Sequence, residues 1–70
     1  MGEDKVGQNA VKQIRENLLI SKTELARKAG LSPLTIGRIE QGLDCRVETK
    51  RKVLLALGLD LSEKNRVFPD

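Results

Sequence analysis

Ile36 and Ile39 stand three residues apart between two glycines, Gly30 and Gly42. At helical spacing they share one buried face, which turns Pro33, Leu34, Gly37, Arg38 and Gln41 to the opposite side. That exposed set has a definite chemistry. A guanidinium such as that of Arg38 donates two parallel N–H bonds to guanine O6 and N7, and an aliphatic side chain such as Leu34 suits a thymine methyl. The amide of Gln41 suits an adenine edge or a phosphate. Gly37 permits close approach, and Thr35 lies on the flank, within reach of a phosphate. Basic side chains bracket the set, Lys22 before it and Arg46, Lys50, Arg51 and Lys52 after it, and such residues clamp phosphate backbone. The charge is unevenly spread. Residues 1–20 are neutral overall and residues 53–70 carry −1, whereas residues 21–52 hold eight basic and four acidic side chains, net +4. Base-edge donors are few, so modest specificity or help from nucleic-acid shape is expected.

The composition removes most other chemistries. There is no His, Trp or Tyr, one Phe (Phe68) and one Cys (Cys45). Zinc sites built from Cys and His, and nucleophile systems that need a His, are excluded, so no catalytic residue, no metal ligand set and no cofactor is expected. One aromatic makes no stacking platform for single strands, which disfavours RNA. A lone Cys forms no internal disulfide, in keeping with a reducing, cytoplasmic setting, and Cys45 is expected to be inert. No apolar run nears the ~20 residues that cross a membrane. The first eight residues, MGEDKVGQ, are polar and lack the apolar stretch of a secretory signal. They are expected to form a flexible tail, followed by a single domain over 9–68.

Helices must position the candidate residues. Val11, Ile14 and Leu18 recur at i, i+3 and i+7 and predict a first helix, with Leu19 and Ile20 covering its junction to the next. Ser21 followed by Glu24 is a capping box that opens a second helix, buried through Leu25, Ala26 and Ala29 and stopped by Gly30. Ser32-Pro33 supplies an N-cap and a first-turn proline for the third helix, which Gly42 ends. A fourth helix is expected from about Glu48 to Leu57, with Val53, Leu54 and Leu57 inward and Gly58 as its stop. A short fifth helix, roughly 61–67, brings Val67 and Phe68 to the core. Nothing alternates with period 2, so the expected fold is all-α with five short helices.

Two helices of about eight residues joined by Gly30-Leu31-Ser32 have the mechanics of a helix-turn-helix. The run SKTELARKAGLSPLTIGRIEQG, residues 21–42, resembles the motif of the Cro/repressor (XRE-type, lambda-repressor-like) transcriptional regulators. Ser21, Leu25, Ala26, Gly30, Leu31, Ser32, Ile36, Ile39, Glu40 and Gly42 fit that pattern. The resemblance extends over about residues 9–68, through Val11, Ile14 and Arg15 to Ala56-Leu57-Gly58. Lys22 stands where the family usually has Gln, Gly37 where Ser is frequent, and Asp44-Cys45-Arg46 where the loop commonly has a Pro. The resemblance implies a compact five-helix domain that binds double-stranded DNA with its third helix in the major groove. It implies repression as the usual outcome, and a structural ion pair between Arg15 and Glu40.

The fourth helix carries one apolar residue beyond its core face. Leu55 is turned about 100° from Leu54. With Leu59, Leu61 and Phe68 it outlines a seam for a homodimer, which would set two recognition helices one DNA turn, ~34 Å, apart. No effector-binding region appears, so no small-molecule effector is implied. The alternative is an antitoxin-like module of the same fold that holds a protein partner.

Overall fold

The computed structural model describes residues 9–69, and the expected tail at 1–8 lies outside them. The order is α1 (Val11–Asn17), α2 (Lys22–Ala29), α3 (Pro33–Glu40), α4 (Val47–Ala56), a 3-10 turn (Leu61–Glu63) and α5 (Lys64–Val67). No strand occurs among the described residues, and the architecture is the all-α, lambda-repressor-like one. Helix α2 packs on both α3 and α4, α1 lies against α3, and the 3-10 turn with α5 closes over α4. Their shared interior contains Val11, Leu25, Ala26, Ile36, Ile39, Val53, Leu54, Leu57, Val67 and Phe68.

The starts of α2 and α3 follow from their caps. The Ser21 hydroxyl accepts from the Glu24 amide at 3.0 Å, and the Ser32 hydroxyl accepts from the Thr35 amide at 3.2 Å. Each satisfies one of the amides that a helix start leaves without a partner. Pro33 occupies the first turn of α3, where its missing N–H costs nothing.

One closure ends each of the first four helices. At α2, the Leu31 amide donates to the Ala26 carbonyl at 2.8 Å and the Gly30 amide to the Arg27 carbonyl at 3.3 Å. This is a Schellman motif, and it needs a left-handed residue, here Gly30 at φ 72°. The same pair of bonds recurs at Gly42-Leu43 and Gly58-Leu59. At α1 it is made by Leu19 and Ile20, which donate to the Glu16 and Arg15 carbonyls. Leu19 thus fills a glycine's position, at φ 60° and 90% exposed.

That position corrects the expected α1 junction. Helix α1 stops at Asn17, so Leu18 falls past the helical stripe and is about half exposed, and Leu19 covers nothing. Ile20 alone of the three packs against the core. A left-handed side chain costs roughly 1–2 kcal/mol, of which glycine's greater freedom in the unfolded chain takes back roughly 0.4–1. Leu19→Gly is therefore expected to stabilise the domain by up to about 1 kcal/mol, a rise of roughly 4–8 °C in a melting curve at the upper end. A lower melting temperature in the variant would mean that Leu19 contributes a contact that its exposure does not suggest.

Two smaller corrections concern the C-terminal half. Helix α4 runs from Val47 to Ala56, one residue earlier at each end than expected, and the segment 61–67 splits into a 3-10 turn and a single α-helical turn. Towards the N-terminus, Asn9 has a role beyond those expected from the sequence. Its side-chain amide donates to the Ile39 carbonyl at 2.7 Å, while its side-chain oxygen accepts from the Val11 amide at 3.1 Å. It starts α1 and fastens that start to the end of α3. The signal was present: Asn is a favoured helix-start residue and stands two residues ahead of Val11, the first of the apolar stripe.

Candidate nucleic-acid interface

Helix α3 is held from behind. Ile36 and Ile39 are fully buried, and Pro33, Leu34, Arg38 and Gln41 are exposed, with Gly37 half-buried at their edge. The exposed side carries no buried apolar residue and no carboxylate. Thr35 is half-buried, and its hydroxyl lies 2.9 Å from that of Ser32, so it serves the start of α3.

The outward angle of α3 is set by Arg15 and Glu40. The Arg15 guanidinium donates from Nε to Glu40 Oε2 at 2.6 Å, from Nη2 to Oε1 at 3.3 Å and from Nη1 to the Ile20 carbonyl at 3.0 Å. The side chains are 9% and 4% exposed. The hydrogen bond to Glu40 holds the Arg15 pKa above its ordinary value, against the opposing effect of burial. One two-pronged bond therefore ties α1 to the last residue of α3, and the third bond pins the α1–α2 junction to both.

The basic residues differ in how they are held. Lys22, Arg46, Arg51 and Lys52 are exposed. Lys50 is drawn inward: its side chain is 13% exposed, its ammonium lies 4.0 Å from an Asp44 carboxylate oxygen, and it stands 5.6 Å from the centre of the Phe68 ring. That places Lys50 in the support of the α3–α4 loop. Cys45 is half-buried in the same loop and packs against the core. Burial pushes its thiol pKa up, with Lys50 opposing and Asp44 adding to the shift, so the thiol stays protonated. Arg46 is the N-cap of α4 and supplies no side-chain bond to it.

Of the remaining candidates, Leu55 lies by helical spacing between Arg51 and Lys52 on the exposed face of α4, and Leu59, Leu61 and Phe68 follow that helix. Leu55 is 57% exposed and Leu61 about half exposed, whereas Leu59 packs partly against the core. Phe68 is buried under α4 and belongs to the interior. A groove of about 150 Å³ between α4 and the 3-10 turn is lined by Val47, Lys50, Arg51, Leu54, Leu61 and Lys64. Among the described residues no helix is long and apolar enough to cross a membrane.

A short helix buried on one side, presented by a second helix through a tight glycine turn and bearing exposed basic side chains on and around the motif, defines a helix-turn-helix of the DNA-binding kind. The helix-turn-helix family model matches residues 11–64, and the chain belongs to that family, in its Cro/repressor (XRE-type) branch of DNA-binding transcription regulators. Among solved structures, the clp gene regulator ClgR from C. glutamicum is similar. It is 25% identical, with a TM-score of 0.70 over 79% of this chain and 73% of that one. No curated protein matches the chain.

Proposed function

We propose that the protein is a sequence-specific repressor that occupies an inverted-repeat operator as a homodimer in the cytoplasm, with α3 in the major groove. The exposure of Leu34, Arg38 and Gln41 on a helix whose opposite face is fully buried carries this proposal. Arg38 reads guanine, Leu34 packs on a thymine methyl, and Gln41 bonds a base edge or the adjoining phosphate. Arg46, Arg51 and Lys52 neutralise backbone charge. The start of α4 helps, because its uncapped amides stand beside the charge of Arg46.

The dimer forms through Leu55 and Leu61, with Leu59 beneath them. Exposed leucines on neighbouring turns of a small domain support a seam there. Leu55→Gln tests it, since an exposed position accepts the change without loss of fold and no charge is placed beside Arg51 and Lys52. Sedimentation is expected to show a wild-type dimer and a folded monomeric variant, and the variant is expected to bind a two-half-site duplex about tenfold or more weakly. Equal masses and equal duplex affinity for the two proteins would refute the seam.

A further inference from the structure

Helix α3 spends a position on glycine in its middle, where glycine costs about 1 kcal/mol relative to alanine. Gly37 does not have a positive φ, so the backbone does not require it. A Cβ built there would stand 3.9 Å from Nζ of Lys22. The Lys22 ammonium, carried on the first residue of α2, therefore lies over the gap in the side-chain surface of α3. Among the described residues no carboxylate pairs with it.

At about 100° per residue, the outward side of α3 runs Gly37, Gln41, Leu34, Arg38, over about 100° of helix surface. Arg38 supplies the cation at one border. The other border has no side chain of its own, and the ammonium standing there is that of Lys22. The face that enters the groove is thus flanked by two cations, one from each helix of the motif.

We propose that Lys22 is a specificity-determining residue, whose ammonium occupies the place left bare by Gly37 and donates to the O6 and N7 acceptors of a guanine in the major groove. The inference rests on the DNA-binding function proposed above. A lysine suits the task, since its ammonium has three donors on a flexible stem and guanine offers two adjacent acceptors. A Cβ at position 37 would make only ordinary contact with the ammonium, so it is a longer side chain there that would compete with Lys22 for the place.

The test is selection of bound duplexes from a random pool by the wild type, by Lys22→Met and by Gly37→Gln. Met keeps the aliphatic stem and removes the charge, at an exposed site. In the wild type, one guanine in each half-site is expected to depend on Lys22. Lys22→Met is expected to lose preference at that base pair alone, about tenfold, and to bind duplexes with and without the guanine equally. Gly37→Gln, whose side chain takes the ammonium's place, is expected to change preference at the same base pair. The inference is overturned if Lys22→Met selects the wild-type motif unchanged, binds all duplexes uniformly more weakly and lowers the salt slope by about one, because that is the behaviour of a phosphate contact. A wild type that selects no motif overturns both the inference and the function it rests on, and it does so before any variant is compared.

Discussion

Glu40→Ala is expected to lower the stability of the domain by roughly 3–5 kcal/mol. The substitution removes a carboxylate that is 4% exposed and leaves the Arg15 guanidinium with the Ile20 carbonyl as its remaining partner. A charge buried without its counter-ion is among the costliest defects a fold can carry. A 70-residue chain holds only roughly 4–10 kcal/mol in total, so the variant is expected to sit at the edge of unfolding. Urea denaturation measures it directly. The effect belongs to the broken pair and exceeds the pair's net worth, so removing both partners separates the two. Arg15→Met with Glu40→Leu is expected to recover most of the lost stability, because two apolar side chains of similar size need no counter-ion. A loss below about 1 kcal/mol in Glu40→Ala, the value of an exposed pair, would show that water reaches Arg15. The Arg15 pKa is raised, so its contribution is complete below its ordinary value and is lost only as pH rises through the raised one. The physiological range therefore sees no pH dependence from it.

Arg38→Ala is expected to cost roughly 1–3 kcal/mol of specific binding and to relax preference at one base pair per half-site. Stability should hardly change, since the side chain is exposed and helix α3 gains a residue of higher helix propensity. The contrast with Glu40→Ala is the informative part. Both residues lie on α3, two apart; one holds the helix and the other points away from the fold. Binding isotherms on matched and mismatched duplexes distinguish the outcomes. Uniform weakening across all duplexes would assign Arg38 to the backbone, and no change at all would remove α3's outward face from the interface.

The motif itself was legible because each of its parts has a short-range cause. Ser21, Ser32, Pro33 and Gly30 act on their own backbone or on amides within three residues, and Ile36 and Ile39 need only helical periodicity to be placed inside. The end of α1 was not legible, because the left-handed slot that glycine fills at three other helix ends is filled there by Leu19. As an apolar residue it is expected to cover the α1–α2 junction, and only the two closing bonds show that it is a cap. The role of Lys50 was hidden for a different reason. Its position in a run of basic residues suggests a solvent-facing charge, while the ring of Phe68, eighteen residues further on, lies beneath its ammonium. The α3 surface falls between these cases: periodicity placed Gly37 on it, but the ammonium above it comes from fifteen residues earlier in the chain.

Selection of bound duplexes from a random DNA pool at moderate salt tests the central claim most directly. The expected result is an inverted repeat whose half-sites are about 10 base pairs apart, centre to centre, with guanine at the position that Arg38→Ala relaxes. Recovery of no motif, with retention that falls steadily as salt rises, would mean that the basic surface binds nucleic acid by charge alone, and would contradict sequence-specific recognition by α3.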